Sequence, residues 1–189
     1  MASNRQVEIA LAAVKLFEKK GYHATSVQDI ADEVGLQKGS LYHYIHSKED
    51  LLLQIAHQAI TDFNQRLETI LASDLPAKDK LIQAIENHIT VSAANIETTT
   101  VLLREAFSLG ENQHQMIQDL SDRYVDLWTQ ILIEGKESGE FNVVHPRITA
   151  LAILGACNWV YRWFRAGGKY DAKDISAMFS QLFLEGLLA

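Results

Sequence analysis

Two stretches of the chain combine residue types that can recognise a charged or polar partner. Residues 36–47 contain hydroxyl, amide, imidazole and lysine side chains but no acidic residue, although seven Asp or Glu residues occur elsewhere in the first fifty. Such donors bind DNA phosphates and base edges. Residues 158–168, NWVYRWFRAGG, form the densest aromatic and cationic stretch. The first stretch is a candidate nucleic-acid interface, and the second is a candidate ligand-binding segment.

The composition indicates a folded protein that can bury a core. The chain has 189 residues, of which 48% are apolar and only two are proline. A single cysteine, Cys157, excludes an internal disulfide framework and a cysteine-cluster zinc site, and we expect it to be a small core residue. No apolar run approaches the length of a membrane span. We therefore expect a soluble, cytoplasmic protein without membrane association.

The net charge of −7 by itself argues against a nucleic-acid partner. Residues 1–50, however, carry six Lys or Arg against seven Asp or Glu, whereas the remaining residues carry 11 against 17. The acidity is therefore concentrated after residue 50. A local DNA-binding surface near the N-terminus is compatible with this distribution.

Apolar residues recur at helical spacing almost throughout, and no strand-like alternation is present. The pattern predicts an all-α protein of about nine helices. Ser26 and Asp29 form a predicted capping box, Ser47 a predicted cap, and Gly21 and Gly35 predicted helix ends. The later helices are predicted over residues 77–94, 97–109, 112–138, 146–165 and 172–188.

Residues 27–46 fit a helix-turn-helix at its constrained positions. Ala31 is small where two helices would cross, and Gly35 lies where the turn requires a positive φ. The second helix would expose side chains that suit DNA, with Gly39 allowing close backbone approach; they are Gln37, Lys38, Ser40, Tyr42, His43 and Tyr44. An ordinary helical corner without a nucleic-acid role is the alternative. The exposed donors favour DNA binding.

The run TSVQDIADEVGLQKGSLYHYIHSKEDLL strongly resembles the N-terminal domain of TetR-family transcriptional regulators, over about residues 4–55. The phenylalanine usual before its last segment is Ile45 here. The resemblance implies a DNA-binding domain over residues 1–47 and an effector-binding and dimerisation domain over residues 48–189. It also implies a homodimeric repressor that binds a palindromic operator in double-stranded DNA.

The same resemblance implies a role for individual residues. Thr25, Ser26 and Lys48 would bind phosphates, and His43 is the side chain most expected to contact a base. Gln37, Lys38, Gly39 and Ser40 would enter the major groove. Tyr42 and Tyr44 would contact the DNA backbone or pack within the protein.

The last two helices are the predicted dimer interface. The last helix has an apolar stripe that is wider than a helix covered on one side requires. The stripe comprises Ile175, Met178, Phe179, Leu182, Phe183 and Leu187. Small residues near Ala152 and Gly155 would allow the preceding helix to pack closely in a four-helix bundle of two subunits. The alternative is that these helices close the core of a monomer.

The motif N-W-x-x-x-W-F-x-x-G-G resembles the penultimate helix of TetR-type regulators of fatty-acid, phenylacetate or steroid breakdown. This implies a CoA thioester as effector, and we expect a long-chain acyl-CoA. The predicted effector residues are Leu102, Arg104, Phe107, Tyr124, Trp128, Asn158, Trp159, Arg162, Trp163 and Arg165. A different hydrophobic or aromatic effector, as in drug-efflux regulators, and a purely structural role for the aromatic residues remain alternatives.

No sequence motif of an enzyme is present: H-E-x-x-H, G-x-S-x-G and a phosphate-binding loop are all missing. We therefore predict no catalytic residues, no metal site and no cofactor. A helical-bundle enzyme with a metal site that includes His88 and His114 is a remote alternative. A module that binds only proteins is another, and it would lack salt-sensitive DNA binding.

Overall fold

The computed structural model describes residues 4–105 and 111–187, without the side chains of residues 111–113 and 187. Within these ranges all regular elements are helices and no β-strand occurs. The helices are α1 (Asn4–Lys20), α2 (Val27–Glu33), α3 (Lys38–Leu41), α4 (Lys48–Leu71), α5 (Ala77–Ala94), α6 (Ile96–Glu105), α7 (Glu111–Glu137), α8 (Pro146–Trp163) and α9 (Ala172–Leu187). The predicted all-α architecture of about nine helices is confirmed.

Local sequence signals determine several helix ends. The Asp29 backbone N–H donates to Ser26 Oγ over 3.1 Å, and the Ser26 N–H donates to Asp29 Oδ2 over 2.8 Å. The predicted capping box therefore begins α2. Ser47 Oγ accepts from the Asp50 N–H over 2.9 Å at the start of α4. Gly35 has a φ of +64°, as the predicted turn requires.

The chain forms two compact units. One comprises Met1–Ala59 with Glu97–Gln118, and the other comprises Ile60–Ile96 with Asp119–Ala189. The helices α4 and α7 each contribute to both units. The division into compact units therefore differs from the division into functional domains that is predicted after residue 47. The functional boundary stays a prediction.

In the first unit, α1 packs on α2 and α2 packs on α3. Ile9 and Phe17 from α1, Ile30 from α2 and Leu41 from α3 are all at most 2% exposed. Complete burial of such a side chain stabilises the folded state by about 1.5–3 kcal/mol. This shared core holds the short helix α3 in place, although four residues alone are too few for a stable helix.

In the second unit, α5 packs against α8 and α9. The core includes Trp128, Ile131 and Leu132 from α7, all fully buried. Cys157 is buried in the same cluster, as predicted. None of the helices within residues 4–105 and 111–187 combines the length and apolar character that a membrane span requires.

Candidate functional site

The first candidate site is the helix pair α2–α3. The Leu36 N–H donates to the Ala31 carbonyl over 2.9 Å across the turn. Ala31 is fully buried, so a larger side chain there would separate the packed helices. Arg5 from α1 donates from its guanidinium to the Val34 carbonyl at the end of α2 over 2.6 Å. The end of α2 and the turn that leads to α3 are therefore held by both packing and hydrogen bonds.

One side of α3 faces the core and the other faces solvent. Leu41 and, just beyond the helix, Ile45 are buried. Five of the predicted DNA-contacting residues are exposed, namely Gln37, Lys38, Gly39, Tyr42 and His43, whereas Ser40 and Tyr44 are half-buried. A Cβ added at Gly39 would meet no atom of the protein within 4 Å. The structure thus exposes most of the predicted α3 residues on a segment that contains no acidic residue.

Thr25 requires a correction to its predicted role. Its side chain is only 1% exposed, and its hydroxyl donates to the carbonyls of Gly21 and Leu16 over 2.9 and 3.3 Å. The hydroxyl is therefore directed into the protein and is not placed to contact a phosphate. Ser26 is exposed beside it, but its Oγ is engaged by Asp29.

Lys48 connects the start of α4 to the segment between α1 and α2. Its Nζ donates to the carbonyls of Tyr22 and Thr25, both over 2.8 Å, and lies 4.3 Å from the centre of the Tyr22 ring. Burial raises the pKa of the Tyr22 hydroxyl, and the Glu49 carboxylate adds to this rise. Two of the three ammonium protons thus have partners within the protein, so Lys48 has a structural role in addition to its predicted phosphate contact.

The second candidate site is a buried polar cluster centred on His88, in the second compact unit. His88 Nδ1 lies 3.0 Å from the Tyr124 hydroxyl oxygen, and His88 Nε2 lies 3.1 Å from Asn158 Oδ1. Burial lowers the pKa of His88 to about 4, because the charged imidazolium would lose its hydration. The Trp128 ring forms a T-shaped contact with His88, with 6.2 Å between ring centres. Three predicted effector residues, Tyr124, Trp128 and Asn158, therefore meet around one histidine.

His88 was not among the predicted effector residues. It lies on α5, three residues after the buried Ile85 and four after the buried Ala84. A polar side chain on this apolar helix face was the signal in the sequence that could have identified it. Both of its ring nitrogens have protein partners, which conflicts with the alternative in which His88 binds a metal. No group of His, Cys, Asp and Glu side chains suited to a metal ion occurs in the part of the chain that the structure describes.

The hydrogen bonds and ring contacts of His88 described above do not involve the other predicted effector residues. Trp159 and Trp163 are 59% and 45% exposed, and Arg162 and Arg165 are exposed at the end of α8. Leu102 and Arg104 belong to α6 in the other compact unit. Phe107 lies outside the described residues. Their role in effector binding stays a prediction.

The predicted apolar stripe of α9 divides into two parts. Ile175, Phe179 and Phe183 pack against the core of the second unit, whereas Met178 and Leu182 are 48% and 64% exposed. On α8, the exposed residues Ile148, Leu151 and Trp159 follow each other at helical spacing, with Ala152 and Gly155 exposed between them. Both helices therefore present apolar surface outside the core.

Comparison with known proteins relates both parts of the chain to one family. Residues 9–55 match the family model for bacterial regulatory proteins of the tetR family. Residues 74–187 match the model for the tetracyclin repressor-like C-terminal domain. The first match contains the whole helix pair α2–α3, and the second contains the His88 cluster.

Two curated relatives cover nearly the whole chain. The transcriptional repressor KstR2 of Rhodococcus jostii is 28% identical over 98% of this chain and 92% of its own length. The fatty acid metabolism regulator protein of Bacillus subtilis is 28% identical over 97% of this chain and 95% of its own.

A solved structure has the same fold. AibR in complex with isovaleryl coenzyme A and operator DNA superposes with a TM-score of 0.87 at 25% identity, over 96% of this chain and 99% of AibR. With both of its parts matched by family models, this chain belongs to the TetR family of bacterial regulatory proteins.

Proposed function

We propose that the protein is a transcriptional repressor that binds operator DNA through α2 and α3 and is released by an acyl-CoA, with a long-chain acyl-CoA as the expected effector. The observation that carries the DNA-binding part is the exposed, acid-free side of α3 above a fully buried Leu41. We expect the protein to act in the cytoplasm, where its operator is located.

In the proposed complex, α3 enters the major groove. Gln37, Lys38, Gly39 and Ser40 would line the groove, His43 would contact a base, and Tyr42 would lie along the backbone. Ser26 at the start of α2 and the remaining ammonium proton of Lys48 would approach phosphates. Tyr44, half-buried, would support α3 from within.

We propose that two copies associate through α8 and α9. The exposed Ile148, Leu151, Met178 and Leu182 would be covered by the same residues of the second subunit, because a two-fold axis brings identical surfaces together. A dimer presents two copies of α3 to two half-sites about one DNA turn or more apart. This arrangement explains why the operator is expected to be palindromic.

The acyl-CoA part of the proposal is supported by the relatives and by the character of the residues. The relative from B. subtilis is named for fatty acid metabolism, and the AibR structure contains isovaleryl coenzyme A. Aromatic residues of the second unit, Tyr124 and Trp128, would contact the acyl group. The exposed Arg162 and Arg165 would bind CoA phosphates, since guanidinium groups pair well with phosphate.

We propose that release depends on two conformations with different effector affinity. α4 is one continuous helix from Lys48 to Leu71, and its first turn is bonded to the segment that precedes α2. Effector binding would shift α4 and with it the separation of the two recognition helices in the dimer. A ligand produces such a shift only to the extent that it binds one conformation more tightly.

The test is fluorescence anisotropy of the purified protein on DNA from upstream of its own gene, or on duplexes selected from a random library. We expect salt-dependent binding that palmitoyl-CoA releases. His43→Ala should weaken binding, whereas His57→Ala should not, because His57 is an exposed histidine on α4 outside the proposed interface.

The outcomes separate the two parts of the proposal. Specific binding that ignores palmitoyl-CoA and isovaleryl-CoA would refute the acyl-CoA effector and favour a different hydrophobic or aromatic molecule. The absence of any selected duplex that binds specifically would refute the DNA-binding part. Equal effects of the two histidine variants would refute the assigned orientation of α3.

A further inference from the structure

The hydrogen bonds around His88 define which atom carries each proton. Asn158 Oδ1 is an amide oxygen and only accepts, so His88 Nε2, 3.1 Å away, must donate. His88 Nδ1 then has a lone pair and accepts from the Tyr124 hydroxyl over 3.0 Å. The three side chains thus form a directed chain from Tyr124 through His88 to Asn158.

This chain is electrically neutral near pH 7. Burial lowers the pKa of His88 to about 4 and raises the pKa of Tyr124, so both remain uncharged. In the part of the chain that the structure describes, the side chains in hydrogen-bond or ring contact with His88 are all neutral, namely Tyr124, Asn158, Phe63 and Trp128.

The cluster has more donors than acceptors. Within the described residues, Asn158 Nδ2 takes part in no hydrogen bond, since only Oδ1 of this amide has a partner. The indole N–H of the fully buried Trp128 also makes no hydrogen bond of normal geometry. It is nevertheless close enough to the Tyr124 hydroxyl to oppose part of the rise that burial causes in the pKa of Tyr124. The Trp128 N–H is fully buried, whereas Asn158 is half-buried, so its Nδ2 is a donor that a water or a ligand can reach.

Aromatic rings lie around His88 and Tyr124. Phe63 lies 5.3 Å from His88 and 5.7 Å from Tyr124, measured between ring centres, and the Trp128 ring lies 6.2 Å from each of them in a T-shaped arrangement. Sites that combine apolar walls with a few fixed polar groups bind mostly apolar ligands in one orientation. Neutral donors among aromatic rings are suited to a neutral acceptor such as a carbonyl oxygen.

We infer that the Asn158 amide, positioned by His88 and Tyr124, donates a hydrogen bond to the acyl carbonyl oxygen of the effector and so selects a thioester over the free carboxylate. This inference rests on the proposed acyl-CoA function. A free fatty acid would place an ionised carboxylate among neutral groups, which is costly without a cation. His88 acts as a positioning residue, and Asn158 is the residue that contacts the ligand.

The test compares two ligands that differ in one oxygen. Palmitoyl-CoA is a thioester, and S-hexadecyl-CoA is the thioether of the same chain length without the carbonyl. Calorimetric titration of the full-length protein should give about 2- to 12-fold tighter binding of the thioester, the range expected for one neutral hydrogen bond. Free palmitate should bind more weakly than palmitoyl-CoA.

Three variants assign the preference to the cluster. Asn158→Ala should bring the ratio of the two CoA affinities to about one, and His88→Leu should reduce it, because the amide then loses its orientation. Asn87→Ala is the matched control, since it removes the amide of the residue beside His88 on α5 and leaves the contacts of His88 with Tyr124 and Asn158 in place; it should retain the ratio. Asn158→Leu, which keeps most of the side-chain volume but loses the donor, provides a second test if Asn158→Ala does not fold.

The inference is overturned if a folded Asn158 variant with normal operator binding still prefers palmitoyl-CoA over S-hexadecyl-CoA by the same factor as the wild type. That result would leave the acyl-CoA proposal intact. Binding of operator DNA without binding of either CoA ligand would overturn both the inference and the proposed effector.

Discussion

The two glycines of the helix-turn-helix should respond in opposite ways to substitution by alanine. At Gly39 an added Cβ would meet no protein atom within 4 Å, and no positive φ is required there. At Gly35 the space is equally open, but φ is +64°, a conformation that costs a residue with a Cβ roughly 1–2 kcal/mol. The two positions therefore differ in backbone conformation rather than in packing.

These differences give expected magnitudes. Gly35→Ala should lower the free energy of unfolding by about 1–2 kcal/mol and Tm by roughly 2–8 °C. Gly39→Ala should leave stability unchanged or raise it by up to about 1 kcal/mol, since alanine is the better helix former. If the backbone at Gly39 approaches DNA in the major groove, the same substitution should reduce operator affinity by at least about tenfold, or 1.4 kcal/mol.

The assay combines thermal unfolding with operator anisotropy on both variants. The expected pattern for Gly39→Ala is normal stability with impaired DNA binding. Unchanged operator affinity in this variant would refute close approach of the α3 backbone to DNA. A Gly35→Ala protein as stable as wild type would refute the argument from backbone conformation.

Three further predictions concern the cores of the two units. The pKa of His88 falls from 6.5 to about 4 on folding, so its contribution to stability is complete above pH 6.5 and is lost as the pH falls toward 4. His88→Leu should therefore reduce the pH dependence of urea unfolding in this window, and an unchanged pH dependence would contradict the shift. Thr25→Val removes a buried hydroxyl that donates to two carbonyls and should lower the free energy of unfolding by about 1–3 kcal/mol. Operator affinity measured well below Tm should stay normal, and a selective loss of affinity would restore the phosphate-binding role. Gly135→Ala would place a Cβ 2.1 Å from the Phe141 ring and should lower the free energy of unfolding by about 1–3 kcal/mol through forced repacking. A stability equal to that of the wild type would contradict that packing.

Features governed by neighbouring residues could be predicted from the sequence. The capping box joins Ser26 to Asp29, and the Ser47 cap joins residues three apart. Because these bonds form within one helical turn, residue type and spacing are sufficient to define them. The turn at Gly35 is equally local, since its φ depends on a single residue.

Features that depend on distant parts of the chain could not be predicted in this way. The partners of His88 lie 36 and 70 residues away, so nothing in its own surroundings on α5 identifies them. Thr25 and Ser26 are neighbours of similar chemistry, yet tertiary packing turns one hydroxyl inward and leaves the other exposed. Likewise, the helical spacing of α9 predicted its apolar residues but not which of them, such as Ile175 and Leu182, face the core or solvent.

The most direct test of the proposed regulator is the reciprocity between its two ligands. Operator affinity should be measured with and without saturating palmitoyl-CoA, and palmitoyl-CoA affinity with and without saturating operator. If the effector acts by favouring a conformation that binds DNA poorly, both affinities must fall by the same factor. Palmitoyl-CoA that binds the operator complex as tightly as it binds the free protein would contradict the account.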